Sequence, residues 1–255
     1  MKQFVSQIQS CKSVAIDFVK LVISWPQDIE PPKPGQFCTL RVSESTDPLL
    51  RRPFAFSGYS AQNNTAEMII QKRGTTTEII AGLGFGDTVD VIAPLGNGFP
   101  EPAEGSQPVL VAGGIGIGPV LFLARHLCEN NNPPVFVLGA KNSDSVVFVH
   151  FPAVKDLVFT TDDGSMGFHG TTVDYLHSLE DLSEKELFCC GPGPMLKGCV
   201  ELAEKADILC WTAMEQVMAC GVGACMGCAV ELKNGGFTRV CTEGPVFEGR
   251  SLQWN

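Results

Sequence analysis

Apolar positions in the first hundred residues come in short bursts, with no long runs. The stretch 14–19, read Val14-Ala15-Ile16-Asp17-Phe18-Val19, predicts a strand, and compact apolar segments follow at 36–42, 54–58, 67–71 and 88–92. Clusters of Pro, Gly, Asn and Asp separate them, such as Glu30-Pro31-Pro32-Lys33-Pro34-Gly35. Bursts of this length between turn residues predict a small antiparallel barrel. Within this region Ile79, Ile80 and Leu83 have helical spacing.

Near Ser106 the rhythm changes. An apolar strand at 108–112 leads into Gly113-Gly114-Ile115-Gly116-Ile117-Gly118-Pro119 and a helix to about Cys128. Strands are then predicted at 135–140, 145–149, 157–161 and 186–190, with helices at 171–179 and 194–206. Strand and helix in alternation predict a parallel sheet, whose ligands bind beyond the carboxyl ends of the strands. The prolines at 100, 102 and 108 mark a junction, so the chain divides into a β-barrel at 1–102, an α/β domain at 103–208 and a small domain at 209–255. The fold class is thus a multidomain α+β and α/β chain. Residues 106–124 carry no charge, yet their glycines and Pro119 fit a strand, a turn and a helix start better than a membrane span.

The last segment holds the strongest chemical signal. Cys220, Cys225 and Cys228 are spaced C-x4-C-x2-C, and Cys241 follows after a span that reads as a hairpin. Two sulfide-bridged irons need four thiolates in a small volume, and a tight loop with Gly221, Gly223 and Gly227 can deliver three of them. Structural zinc sites pair their ligands two and two on separate knuckles, so the three-plus-one grouping favours a [2Fe-2S] cluster, with a zinc-bearing scaffold as the alternative.

Composition narrows the classes further. With 18 Lys+Arg against 28 Asp+Glu the net charge is −10, which leaves no basic footprint for nucleic acid. Eleven cysteines scattered partly in apolar runs suit a reducing compartment better than a disulfide framework. The amino terminus lacks the sustained apolar core of a signal peptide, so the expected location is the cytoplasm, with no membrane partner. His126, His150, His169 and His177 make no metal spacing. Cys189 and Cys190 are neighbours on a strand and therefore point to opposite faces.

Several stretches suit phosphate. Arg52, fixed before Pro53, can fork onto a phosphate or pyrophosphate, although a surface arginine pair is the commoner use. Gly74, Thr75, Thr76 and Thr77 sit at a helix start, where the alternative is a plain cap. Gly113, Gly114, Gly116, Gly118 and Pro119 join a strand to a helix N-terminus without completing G-x-G-x-x-G, and no acid closes the second strand.

In order, RRPFAFS, GTTT, PLGNGF, VLVAGGIGIGP, TDDGSMGFHG, CCGPGPM, CGVGACMGC and VCTEGPVF give a chain that resembles the dihydroorotate dehydrogenase B electron transfer subunits, within the ferredoxin-NADP reductase group. The resemblance implies an FAD-binding barrel, an NAD-binding domain and a [2Fe-2S] domain. It implies that Arg52, Pro53, Phe54 and Ala55 form the flavin motif, with Ala55 where serine is usual. Ile69, Ile70 and Gln71 line the flavin, Gln71 replacing a common arginine, and Gly74, Thr75, Thr76 and Thr77 match GxGT with Thr76 for the second glycine. The glycine set 113, 114, 116 and 118 with Pro119 takes the dinucleotide, Cys190 and Gly191 stand near the nicotinamide, and Cys220, Cys225, Cys228 and Cys241 hold the cluster. It further implies an FMN-containing catalytic partner that oxidises dihydroorotate, two of each chain in a heterotetramer, and electrons passing through [2Fe-2S] and FAD to NAD+ in pyrimidine biosynthesis. Lacking an arginine after Gly139, the chain leans toward NAD, with Lys141 pulling the other way. No base for the pyrimidine proton stands out. A stand-alone or differently partnered NAD(P)H:ferredoxin-type reductase shares this layout.

Overall fold

The computed structural model describes residues 1–43 and 45–254. Strand β1 (Lys2–Ala15) turns at Ile16-Asp17 into β2 (Phe18–Ser24), followed by β3 (Phe37–Arg41), β4 (Arg52–Ala55), β5 (Gly58–Ser60), β6 (Thr65–Gln71), the short helix α1 (Thr75–Ala81) and β7 (Thr88–Leu95). The seven strands form one antiparallel sheet, ordered β4-β3-β7-β1-β2-β6-β5. Contacts between β4 and β6 curl it. Burial along β7 alternates residue by residue, as expected when one face covers a core and the other meets water. Ile8, Leu21, Ile23, Leu40, Met68 and Val91 fill the inner face, and α1 inserts Ile80 among them.

The second layer begins with β8 (Gln107–Gly113), a 3-10 turn at Gly114–Gly116 and α2 (Ile117–Glu129). After it come β9 (Val135–Ala140), β10 (Asp156–Thr161), β11 (Phe168–His169), α3 (Thr172–His177), β12 (Lys185–Cys190), α4 (Gly193–Ala206) and β13 (Cys210–Ala213). β14 (Ala229–Glu231) and β15 (Phe237–Arg239) make a hairpin, and β16 (Val246–Glu248) returns to pair antiparallel with β13. The second sheet runs β11-β10-β9-β8-β12-β13-β16 and is parallel up to β13. It therefore extends past residue 208 and draws in a strand from the carboxyl-terminal segment.

Helix α2 lies between the layers. Ile117 to Ala124 are all buried: Phe122 joins the barrel core, while Val120, Leu121, Leu123 and Ala124 pack on the second sheet with Leu110 and Phe136. Eight consecutive helical residues without a polar side chain are stable only when covered on every side, which accounts for the uncharged stretch read from the sequence. Among the described residues no helix is long and apolar enough to cross a membrane.

Three local expectations are corrected. Residues 14–19 are a hairpin, not one strand: Ala15 pairs with Phe18 across Ile16-Asp17. Residues 145–149 form no strand, because the Asn142 side chain accepts the Ser145 N–H (3.0 Å) and ties a 3-10 turn, after which Val146 and Val147 fill the core from a loop. The run 54–58 breaks between β4 and β5, which occupy opposite edges of the curled sheet.

Arg125 on α2 fastens the layers. Its Nη1 donates to Glu67 Oε2 (2.9 Å) and to the Ser57 carbonyl (3.3 Å), and Glu67 also meets Lys20 (3.5 Å). Both partners are partly exposed, so screening holds the contribution to about 1 kcal/mol. Arg125→Ala should lower the thermal midpoint by about 2–4 °C for a chain of this size, measured by scanning calorimetry, and Arg125→Lys should recover part of it.

Candidate functional site

Two clefts meet where the layers join. The first, about 280 Å³, is walled on the barrel side by Pro53, Phe54 and Ala55 of β4, Ile69, Ile70 and Gln71 of β6, and Arg73 and Thr77. Opposite stand Ile115, Gly118, Pro119, Cys190, Met214 and Glu215. A mostly apolar slot with a few polar edges suits a flat heterocycle. The second cleft, about 750 Å³, opens at the carboxyl ends of the parallel strands between Gly113, Gly114, Gly139, Lys141, Asp162, Thr172, Gly191 and Pro192. Thr172 Oγ1 on its wall is buried with no hydrogen-bond partner, an acceptor and donor ready for a polar ligand. Gln71, Arg73, Ile115 and Glu215 border both clefts.

The second cleft depends on close backbone approach. A Cβ on Gly116 would come within 2.0 Å of the Cys190 carbonyl oxygen, so only glycine lets the start of α2 touch the end of β12. Gly113 and Gly191 pack on Met195 in the same joint. Cys189 and Cys190 do point to opposite faces: Cys189 lies 3.8 Å from Cys210, Sγ to Sγ, in the core beside α4, and Cys190 faces α2 and the first cleft. Burial pushes the Cys190 thiol up, with Glu215 adding to it, so it remains protonated. Desolvation by the cleft walls likewise raises the Glu215 carboxyl, against the pull of Arg73.

The candidate residues do not all gather. Arg52 faces neither cleft and gives its Nη1 to the Leu50 carbonyl (2.7 Å), while Arg51 pairs with Asp90 (2.5 Å). Gly74, Thr75 and Thr76 also stand outside both linings. Thr77 reaches the first cleft, but its hydroxyl accepts from the Arg73 and Gly74 amides (2.8 and 3.1 Å), the capping use of that position. Gly116 serves packing. Sequence reading passed over Glu215, whereas Arg73 and Asp162 stood in stretches it noted, the run before α1 and the loop after β10. Glu215 comes just after β13, separated from it by Met214, and that place at a strand's carboxyl end was its signal.

The four clustered cysteines stand in two pairs. Cys225 lies beside Cys220, and Cys241 beside Cys228. The second pair is buried in a small core with Phe37, Leu95 and Val240, and Phe37 is also a wall of the first cleft. The first pair faces outward, with Cys225 exposed. Backbone amides aim at sulfur: Val222 and Ala224 donate to Cys220 (3.5 and 3.3 Å), and Gly227 donates to Cys225 (3.4 Å). Such donors lower the Cys220 thiol to about 6, the Val222 amide first, whereas burial pushes Cys241 up to about 11. Among the described residues no three His, Cys, Asp or Glu side chains already form a single-metal site. Backbone amides aimed at the sulfurs of a loop that carries three of the four thiols suit an iron-sulfur cluster.

Comparison with known proteins agrees with this arrangement. The iron-sulfur cluster binding domain of dihydroorotate dehydrogenase B matches residues 215–253. The dihydroorotate dehydrogenase B (NAD(+)) electron transfer subunit of Desulforamulus reducens is 36% identical over 229 residues, 87% of each chain. That of Shouchella clausii is 37% identical over 240 residues, 92% of each. Among solved structures, a chain of the NADH-dependent reduced ferredoxin-NADP oxidoreductase, described for flavin-based electron bifurcation, superposes with a TM-score of 0.82 at 29% identity, covering 98% of this chain and 90% of that one. A ferredoxin NADP+ reductase from Neisseria gonorrhoeae with bound FAD and NADP shares the fold at 18% identity, over 81% of this chain and 92% of that one, with a TM-score of 0.66.

The amide cage makes one thiol unusually acidic. In iron-free protein, iodoacetamide should label Cys220 with a rate that is half-maximal near pH 6, where its thiolate forms, and that falls below it. An ordinary thiol titrates about 2 to 3 units higher. Peptide mass spectrometry of timed samples across pH 5–9 reads the profile, and a midpoint near 8.5 would remove the cage from the account.

Proposed function

This chain belongs to the family of dihydroorotate dehydrogenase B (NAD(+)) electron transfer subunits, and on that premise we propose that it is the NAD-linked half of a dihydroorotate-oxidising complex of pyrimidine biosynthesis. Electrons enter from a separate FMN-containing catalytic subunit, through a [2Fe-2S] cluster and FAD, and leave on NAD+. The assembly is proposed as a heterotetramer, two of each chain, in the cytoplasm, where its eleven thiols stay reduced. The observation that carries the reading is the shared wall: the buried cysteine pair backs onto Phe37 of the first cleft, and the first cleft shares Glu215, Gln71, Arg73 and Ile115 with the second.

Flavin, when bound, converts between the hydride that nicotinamide carries and the single electrons that an iron-sulfur cluster carries. The chain's own residues hold and shield these groups. Pro53, Phe54, Ala55, Ile69, Ile70 and Gln71 offer one wall to the flavin ring and Gly118, Pro119 and Cys190 the other. Arg52 with Gly74, Thr75, Thr76 and Thr77 is proposed for the remainder of FAD. Gly113, Gly114, Gly191 and Thr172 line the dinucleotide cleft, with Gly116 setting its depth. Cys220, Cys225, Cys228 and Cys241 hold the cluster, and exposed Val222 (37%) and Met226 (53%) beside the outer pair give a catalytic partner an apolar footing. Residues 1–102, 103–208 and 209–255 are the proposed flavin, nicotinamide and cluster portions.

The structural likeness to an NADH-dependent ferredoxin-NADP oxidoreductase chain favours a second reading, in which the electron partner is a ferredoxin-type protein. Anaerobically purified chain should show flavin and cluster absorption that NADH bleaches, and should reduce an artificial acceptor. It should ignore dihydroorotate until an FMN-binding partner is added. Turnover of dihydroorotate by the chain alone would overturn the division of labour, and recovery of a ferredoxin without an FMN partner would favour the second reading.

Cofactor choice follows from the cleft's edge. Asp144 and Asp162 line it beside Lys141, and a carboxylate there can bond a ribose 2′-hydroxyl while repelling a 2′-phosphate. Asp162→Ser should narrow the NADH-over-NADPH preference in kcat/KM by about tenfold, roughly 1.4 kcal/mol. An unchanged ratio would move the discrimination elsewhere.

A further inference from the structure

Arg239, at the end of β15 and two residues before Cys241, makes a set of contacts that no cluster ligand requires. Its backbone N–H and its Nε both donate to Glu243 Oε2 (2.9 and 3.0 Å), and its Nη2 donates to Glu243 Oε1 (2.5 Å). The fork is thus closed around the turn that carries Cys241. The remaining arm, Nη1, crosses to the carbonyl of Gly223 (2.8 Å), between Cys220 and Cys225 on the other part of the ligand set. Gly223 stands between the two amides that reach Cys220 sulfur, those of Val222 and Ala224 (3.5 and 3.3 Å). Its φ of +84° is a left-handed conformation, and a Cβ there would meet Thr242 Cγ2 at 2.8 Å and Arg239 Nη1 at 3.3 Å.

We propose that the Arg239–Glu243 clasp is a positioning device that sets the reduction potential of the cluster by holding the Gly223 carbonyl, and with it the flanking Val222 and Ala224 amides on Cys220 sulfur. The inference rests on the [2Fe-2S] reading above. Hydrogen bonds to cluster sulfurs draw off electron density and raise the potential, and they do so only while the donor is held in line. Gly223 has no side chain to restrain it, and Arg239 restrains it from outside. The clasp also joins the loop that brings three thiolates to the strand that brings the fourth. As an internal ion pair it adds no net charge, so its effect is separable from simple electrostatics.

That separation gives the test, on the full chain with its cofactors, by redox titration followed through the cluster's electron paramagnetic resonance signal. Charge alone predicts opposite shifts: Arg239→Gln lowers the potential, Glu243→Gln raises it, and the double variant returns to the parent value. A clasp predicts that Glu243→Gln lowers the potential despite losing a negative charge, that the double variant stays low, and that Arg239→Lys, which keeps the charge but not the fork, is low as well. Changed g-values should accompany each fall. Should Arg239→Gln shed its iron, Arg239→Lys and Glu243→Gln decide alone. A raised potential in Glu243→Gln, or potential and spectrum unmoved in Arg239→Lys, overturns the proposal while leaving the electron-transfer reading standing. Zinc without iron in the parent protein overturns both.

Discussion

The burial of α2 between two sheets is the constraint from which the site follows. The eight residues Ile117 to Ala124 of α2 carry no polar side chain and are covered by both layers, so the barrel and the parallel sheet cannot separate without exposing Phe122, Phe18 and Ile69 to water. Each large apolar side chain so exposed costs about 1.5–3 kcal/mol. Because the helix is fixed, so is its amino end. The glycine turn that precedes it therefore presents Gly113 and Gly114 to one cleft, and Gly118 and Pro119 to the other. One element supplies walls for two ligands, and the hydrophobic effect holds it there.

The carboxyl-terminal segment adds the third member by the same logic. Its small core of Cys228, Val240 and Cys241 is completed by Phe37 and Leu95, which belong to the barrel. Asn97 secures the junction, its Nδ2 donating to the Thr242 and Glu243 carbonyls (3.1 and 2.9 Å), and β16 enters the second sheet. The PLGNGF loop, a motif without evident chemistry in the sequence, is thus a mechanical joint. The cysteine centre is bonded to both layers, so its distance from the first cleft is set by packing and not by a flexible tether.

How much of this the sequence disclosed depends on the kind of constraint. Strands with alternating or continuous apolar runs, such as β6, β7, β8 and β9, were legible because burial dictates the pattern. The iron-sulfur domain was legible because cluster chemistry asks for a recognisable thiol spacing. The hairpin at Ile16-Asp17 was not, since apolar residues run through the turn without Gly or Asn to mark it. The loop at Val146 and Val147 was misread because buried apolar residues look alike in a strand and in a loop, and an asparagine side chain decides between them. β16 gives no local signal at all. Its three residues become a strand only because β13 offers an open edge. In the clefts, the glycines announced themselves, but Glu215 and Arg73 matter through tertiary placement, and no spacing rule would have brought them together.

The candidate site also explains why so few reactive side chains are found. Hydride exchange between stacked rings and electron exchange between a ring and a cluster both depend on distance, orientation and exclusion of water, and neither needs a side-chain nucleophile. A protein that does this work is selected for walls. Hence the glycines that let backbone touch backbone, the buried protonated thiol of Cys190 where a charged group would disturb a neutral ring, and the acidic groups kept to the edges at Asp144 and Asp162.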